Sequence, residues 1–225
     1  SPFLQSFGGD MIDRDNYLTA EGALNGEEAI AFGNWWQSLF ERGLTPGTSQ
    51  DGGDRGTGFV DGKYALQWNG NWAALGALDA FGDDALFLPA PDFGAGSTIG
   101  AASYQFGISA TTEHPEGANA FIEFAIQDKY LAAFTAGIGL IPSTPGAAAL
   151  TETYSEGGPL EVFFELSNQQ ALIRPPTPGF TVMALVFEKA LADIANGADV
   201  QDALDAAVDE IDADIVNNDG YGFVR

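Results

Sequence analysis

The chain has no cysteine, one histidine and no long apolar run. The first absence removes disulfides, thiolate metal sites and cysteine nucleophiles together. The lack of an apolar run near the roughly 20 residues of a membrane-spanning helix removes that class of membrane protein. Positive charge is scarce as well: eight basic residues, of which Lys63, Lys129 and Lys189 are the lysines, face 32 acidic ones for a formal net charge of −24. Such a field repels phosphate backbones and anionic lipid surfaces, which excludes nucleic acid as a partner and weighs against anionic ligands. No secretory leader is visible and residue 1 is Ser1. The expectation is therefore that the encoded N-terminus, with any export signal or lipid anchor, lies elsewhere.

What is present is the material of a core. The 225 residues are 45% hydrophobic, with 17 Phe and four Trp, whereas disordered chains are depleted in aromatics. Abundant carboxylates, few lysines and an ordinary aromatic content together point to a surface adapted to high salt, with a merely acidic mesophilic protein as the alternative.

Periodicity divides the chain into a helix-rich α/β pattern. Residues 1–10 read as a helix end closed by Gly8-Gly9, and 11–25 as a turn-rich link. Glu27 to Arg42 carries helical spacing, with Gly43 as its stop. Residues 45–58 are a glycine-rich loop. Tyr64–Trp68, Ala85–Leu88 and Tyr104–Ser109 read as short strands, with a helix from about Asn71 to Phe81 between the first two. Pro115 opens a helix to about Ile126. Further helices follow over 128–136 ending at Gly137, over 146–154 and over Leu160–Gln169. Arg174-Pro175-Pro176-Thr177-Pro178 is a stiff extended link. Two long helices, 179–196 and 199–217, close the chain; the second carries an apolar stripe opposite a face of aspartates.

No catalytic constellation emerges. His114 precedes Pro115 at a helix start and reads as an exposed loop residue. There is no G-x-S-x-G elbow, and Asp92-Phe93-Gly94 lacks every companion element of a kinase. Gly94-Ala95-Gly96-Ser97-Thr98-Ile99-Gly100 spaces its last glycine one residue too far for a dinucleotide fingerprint. Asp13, Asp15 and Asn16 lack the glycine and distal glutamate of a calcium loop. No catalytic residue, metal ligand or cofactor is therefore expected. Carboxylates are abundant enough that some pairs fall near one another, so glycosidase chemistry is kept as an alternative.

A binding surface is what remains. Trp68 and Trp72 flank Asn69-Gly70-Asn71 at a strand-to-helix turn. A flat indole stacks on the apolar face of a pyranose, and Asn amides with the unpaired N–H groups of a helix start match hydroxyls. Either tryptophan can instead belong to a core.

In chain order the sequence resembles the maltose-binding-protein-like family of solute-binding proteins, the sugar-binding group of bacterial and archaeal ABC importers. Phe3-Leu4-Gln5-Ser6-Phe7-Gly8-Gly9 looks like its helix with a double-glycine stop. Phe59-Val60-Asp61-Gly62-Lys63-Tyr64-Ala65-Leu66 through Gly70-Asn71-Trp72 resembles its F-x-x-G-K-x-A-M…G-x-W segment. Leu88-Pro89-Ala90-Pro91, Gly107-Ile108-Ser109, His114-Pro115-Glu116-Gly117-Ala118, Phe121-Ile122-Glu123-Phe124 and Gly137 to Pro142 resemble later pieces, as do Arg174-Pro175 and Gly197 to Ala207. The resemblance implies a type II periplasmic-binding-protein fold, two α/β lobes joined by hinge strands, with the opening part of the first lobe missing. Residues 1–89 would lie in the second lobe, 90–148 would return to the first, and 149–225 would close the second.

The same resemblance implies an extracellular or periplasmic monomer that binds a sugar or oligosaccharide and delivers it to a permease without chemistry. Trp72 would stack on the sugar, with Asn69, Asn71 and Trp68 beside it. Ser103, Tyr104 and Gln105 would enter a first-lobe strand facing the ligand. Phe180 and Thr181 would form another wall, and Arg174 would meet a hydroxyl or carboxylate. A non-sugar solute (a polyamine, glycerol phosphate or a peptide) is the alternative within the same class.

The charge balance yields a direct expectation. At about 1 M salt the screening length shrinks to about 3 Å, which weakens repulsion between carboxylates. Scanning calorimetry in KCl between 0.1 and 2 M should show the melting temperature rising with salt; a flat or falling curve would show that self-repulsion does not limit this fold.

Overall fold

The computed structural model describes residues 1–46 and 58–223 and divides them into two compact units. Residues 1–46, 90–101 and 170–223 form the first, and 58–89 with 102–169 the second. Among the described residues the α-helices are, in chain order, α1 (Pro2–Phe7), α2 (Glu27–Glu41), α3 (Ala74–Phe81), α4 (Pro115–Ala125), α5 (Asp128–Ile138), α6 (Pro145–Ala149), α7 (Glu161–Gln169), α8 (Phe180–Ala195) and α9 (Val200–Asn217). Two short strands, β1 (Ile99–Ala101) and β2 (Ala171–Ile173), pair in parallel, with Ile99 opposite Ala171 and Ala101 opposite Ile173.

The first unit is built around the apolar stripe of α9. Val200, Leu204, Ala207, Val208, Ile211 and Ile215 are buried, at the 3.6-residue period that puts them on one face. They meet Met183, Val186, Phe187, Ala190 and Ile194 of α8 and Ala29 and Phe32 of α2 in one cluster. Gly33 is what lets α2 approach α9, since a methyl group there would lie 2.4 Å from Val200 Cγ1. Polar groups complete the packing. Gln37 Nε2 donates to the carbonyls of Ile194, at the end of α8, and Ala198, in the link to α9. Trp36 Nε1 donates to Leu191 O. The aspartate face of α9 is partly structural: Asp212 accepts from Thr19 Oγ1 and Ala20 N, each at 2.6 Å, and Asp205 accepts from Asn25.

At the other side of this unit Ser6, buried in α1, donates to Pro91 O and accepts from Phe93 N. That places Phe93 against Phe7 at 4.5 Å and Trp35 at 4.9 Å between ring centroids. Arg14 pairs with Asp10 and donates to Ile173 O at the end of β2.

The second unit has a smaller core, in which Ala74, Ala148, Tyr154 and Leu160 are joined by Leu78, Phe87, Ile141, Phe163 and Phe164. Thr144 caps α6 by accepting from Ala147 N and donates to Asp128 Oδ1, tying the starts of α5 and α6 together. Helix α4 has no buried residue.

Several expectations are corrected. Tyr64–Trp68, Ala85–Leu88 and Tyr104–Ser109 stand in no ladder among the described residues. A strand exists only with a partner for its N–H and C=O groups, and their alternate apolar residues lie open, Leu66 at 82% and Leu86 at 76% exposure. The strands that do form were not expected, because Gly100 and Ala101 have poor strand propensity; pairing with β2 supplies what propensity does not. Helix α5 runs past Gly137 to Ile138 and stops at Gly139, the residue with φ of 67°. Helix α6 ends at Ala149 rather than 154, and the chain then turns to bury Tyr154. Of the loop expected over 45–58, residues 47–57 lie outside the described residues. The chain passes between compact units four times, once between residues 46 and 58 and then at 89/90, 101/102 and 169/170. Lobe membership is a matter of topology in the whole fold, separate from compactness.

Burial separates leucines of equal chemistry. Leu204 is fully buried in the first unit and Leu86 is largely exposed in the second. Urea unfolding should give a loss of about 2–5 kcal/mol for Leu204→Ala and within about 0.5 kcal/mol for Leu86→Ala.

Candidate functional site

The tryptophans fall into two groups. Trp35 and Trp36 are packed among Phe3, Phe7, Phe32 and Phe40 in the first unit. Trp72 and Trp68 in the second unit are 64% and 50% exposed. Trp72 stands in a 3₁₀ turn, Asn71–Ala73, that runs directly into α3. Its indole lies against the backbone of Gly70: a methyl group on that glycine would fall 2.2 Å from Cη2 and Cζ3. Gly70 has an ordinary extended φ of −76°, so the requirement for glycine there is space and not backbone conformation. The ring is thus backed on one side and open to solvent on the other, the geometry of a stacking platform.

The turn is anchored by Asn71. Its Nδ2 donates to Gly139 O at 2.9 Å and lies 3.5 Å from Tyr154 Oη. Tyr154 Oη also donates to Gly139 O, at 3.1 Å. The carbonyl at the C-terminus of α5 therefore gathers two donors, and Gly139 is left-handed with Leu75 Cδ1 2.9 Å from where its Cβ would be. Asn71 was expected to face ligand; its amide nitrogen is spent inside the unit, and Oδ1 is the atom that remains. Asn69 accepts from its own neighbour, Gly70 N, at 2.7 Å. Sequence spacing marked the Asn-Gly-Asn turn, but nothing local marked Tyr154 or Gly139, which lie 83 and 68 residues from Asn71.

The other expected residues are placed as follows. Ser103, Tyr104 and Gln105 lie exposed in the second unit, with Tyr104 86% exposed and Ser103 Oγ 3.3 Å from Tyr104 O. Phe180 and Thr181 open α8 in the first unit, Phe180 half-buried and Thr181 exposed. The guanidinium of Arg174 stands over the Phe180 ring, 5.3 Å from its centroid, a cation–π contact that fixes the side chain without a carboxylate.

A cleft within the first unit, about 580 Å³, is a different place, lined by Gln5, Asp10, Asp13, Arg14, Glu21 and Thr98 among others. Two of its acids are occupied internally. Asp10 takes Arg14, Gln5 and Met11 N, and Asp13 takes Asp15 N and Asn16. Among the described residues no group of three His, Cys, Asp or Glu is placed to hold a metal ion. His114 is exposed at the start of α4, as expected of a loop histidine.

Tyr154 is the buried titratable group nearest the turn. Burial pushes its phenol above the ordinary value of 10, with the Asn71 hydrogen bond opposing. A folded-state pKa raised above the unfolded one leaves stability intact below pH 10 and removes it as pH rises further. Urea titrations at pH 8 and 11 should show a loss at the higher pH that is smaller in Tyr154→Phe; an equal loss in both proteins would refute the assignment.

The chain matches the family model described as bacterial extracellular solute-binding protein over residues 2–160. Among curated proteins none matches. Among solved structures it is similar to the maltose-binding protein MalE of Listeria monocytogenes in complex with maltose, at 18% identity and a TM-score of 0.75, over 96% of this chain and 57% of that one. It is similar also to the cyclic alpha-maltosyl-1,6-maltose binding protein of Arthrobacter globiformis, at 21% identity and a TM-score of 0.66, over 96% and 55%. A cyclo/maltodextrin-binding protein complexed with maltotetraose matches at 20% identity and 0.70, over 95% and 55%. The chain thus spans little more than half the length of each. All three are binding proteins, and the shared fold is that of the type II periplasmic binding proteins. With the family model matching residues 2–160, well over half of its length, the chain belongs to the bacterial extracellular solute-binding proteins.

Proposed function

We propose that this protein captures a sugar of the maltooligosaccharide class outside the membrane and delivers it to the permease of an ABC importer, as a monomer and without making or breaking a bond. The observation that carries the reading is Trp72, whose indole is backed by Gly70 and exposed on its other side. A pyranose presents a C–H face that such a ring covers, with hydroxyls around the rim. Backbone N–H groups at the start of the 3₁₀ turn, Asn71 Oδ1 and the Asn69 amide are the hydroxyl partners beside it. Trp68 and the Ser103-Tyr104-Gln105 run add surface on the same unit. The family resemblance adds Phe180, Thr181 and Arg174, which lie in the first unit, as further ligand contacts. Residues 1–89 and 149–225 belong to one lobe of the family's fold and 90–148 to the other.

The three proteins similar in fold bind maltose, cyclic alpha-maltosyl-1,6-maltose and maltotetraose, which supports a ligand of that class. Family membership supports an extracellular location. Among the described residues no helix is long and apolar enough to cross a membrane.

Isothermal titration with maltose and maltotetraose, in high salt, tests the reading. Trp72→Ala should weaken binding by about 10- to 100-fold, the worth of one stacked aromatic face. Gly70→Ala, which pushes the ring off its seat while leaving it present, should cost about 3- to 10-fold. Absence of heat with every sugar at millimolar concentration, or unchanged affinity in Trp72→Ala, defeats the proposal.

A further inference from the structure

Beyond α9 the backbone enters an uncommon conformation. Asp219, Gly220, Tyr221 and Gly222 all have positive φ, at 52°, 67°, 54° and 86°. L-residues visit the left-handed region singly, because Cβ crowds the carbonyl oxygen. Two non-glycine residues within four consecutive left-handed positions persist only where the surroundings over-determine them. Here the surroundings are specific. Tyr221 N donates to Asn218 O and Phe223 N to Gly220 O. Asn218 Nδ2 donates to Asp214 O. Leu18 Cδ2 lies 2.9 Å from where a Cβ on Gly220 would be. The rings of Tyr17 and Phe223 sit 5.1 Å apart, and Tyr17 is itself left-handed at φ 58°.

The result of the turn is that Tyr221 doubles back onto the start of α8. Its hydroxyl donates to Asp214 Oδ2 at 2.8 Å. That bond, first, and then burial and the Asp214 charge raise the phenol above its ordinary value of 10, so the hydroxyl stays a donor at neutral pH. Its ring faces Gly179: a methyl group there would lie 2.8 Å from Tyr221 Cε2 and 3.4 Å from Met183 Cε. Gly179 is the N-cap of α8, with φ −67° and ψ −10° that any residue tolerates. Only the ring demands glycine at this position. The next two residues are Phe180 and Thr181, and Gly179 O accepts from Met183 N in the first turn of the helix.

We propose that Tyr221 is a positioning residue: the left-handed turn at 219–222 presses its ring onto Gly179 and so sets the first turn of α8, which carries Phe180 and Thr181. The ligand part of this inference rests on the sugar-binding reading above.

The test uses the 225-residue chain and the variants Tyr221→Ala, Tyr221→Phe, Gly179→Ala and the double variant Tyr221→Ala with Gly179→Ala. Hydrogen exchange is followed over 178–186 and 187–195, and maltotetraose affinity by titration. Tyr221→Ala should speed exchange over 178–186 by about tenfold and leave 187–195 unchanged. It should weaken maltotetraose by about fivefold, the cost of losing the pre-set position of Phe180 and Thr181. Tyr221→Phe keeps the ring and should retain most of both. Gly179→Ala should resemble Tyr221→Ala in the wild-type background and add nothing in the Tyr221→Ala background, where the methyl has room. Unchanged exchange over 178–186 in Tyr221→Ala, or equal Gly179→Ala penalties in both backgrounds, overturns the proposal. Faster exchange with unaltered affinity overturns its ligand part. Should the wild type bind no maltotetraose, the sugar-binding reading has failed, and exchange with the double variant still decides whether Tyr221 holds α8.

Discussion

A chain with 24 more acidic than basic residues folds only where apolar contact outweighs self-repulsion, and in this protein that place is the seam along α9. Six buried side chains of one helix meet α8 and α2 there, and the loop at 19–25 is stitched to the same helix through Asp212 and Asp205. The carboxylates of α9 therefore do two different jobs. Some are solvated charge. Others accept hydrogen bonds from a loop whose own backbone donors would otherwise lack partners, and a charge-assisted bond of this kind is stronger than a neutral one. The seam also explains why the C-terminal turn can hold an unfavourable backbone: it grows directly from a helix that the core has already fixed.

At three packing seats of this molecule glycine acts through missing volume and not through backbone freedom. Gly33 admits Val200, Gly70 admits the indole of Trp72, and Gly179 admits the ring of Tyr221. None of the three has positive φ, so none is explained by a turn. In each case an aromatic or branched side chain uses the bare Cα as a floor. A ring seated this way loses little freedom when a ligand arrives, because its position is already set. Two of the three floors lie beside residues proposed to meet ligand, Gly70 beside Trp72 and Gly179 beside Phe180.

The helices were legible because their signals are local. Apolar period, Pro at the first turn and Gly at the stop gave α2, α4, α8 and α9 nearly to the residue. The tryptophan at the turn was legible for the same reason: Asn-Gly-Asn-Trp breaks a strand pattern and opens a helix within four residues. What was not legible depends on distance along the chain. Tyr64–Trp68, Ala85–Leu88 and Tyr104–Ser109 alternate as strands do, yet alternation cannot provide a partner, while Ile99–Ala101 pairs despite its composition because β2 arrives 70 residues later. Helix α5 overran Gly137 because glycine stops a helix only where the backbone turns left-handed, and that happens at Gly139. The use of Asn71 by Gly139 and Tyr154, and the return of Tyr221 to Gly179, have no local signal at all.

That last group changes how recognition at the turn is to be understood. An asparagine beside a tryptophan invites the reading that its amide meets a hydroxyl. Here Asn71 Nδ2 is committed to Gly139 O, and losing that bond would leave the turn held by less while the carbonyl kept only Tyr154. On the proposed function, Asn71 therefore offers a ligand an acceptor and not a donor. Donors must come from backbone N–H groups at the start of the turn or from Asn69. A sugar hydroxyl can serve as either donor or acceptor, so such a site still accommodates it. A ligand group that only accepts, such as a phosphate, finds one fewer partner there, and it meets the field of the whole acidic chain as well. The hydrogen-bond inventory of one turn and the net charge of the molecule thus favour the same kind of solute, one that is uncharged and rich in hydroxyls.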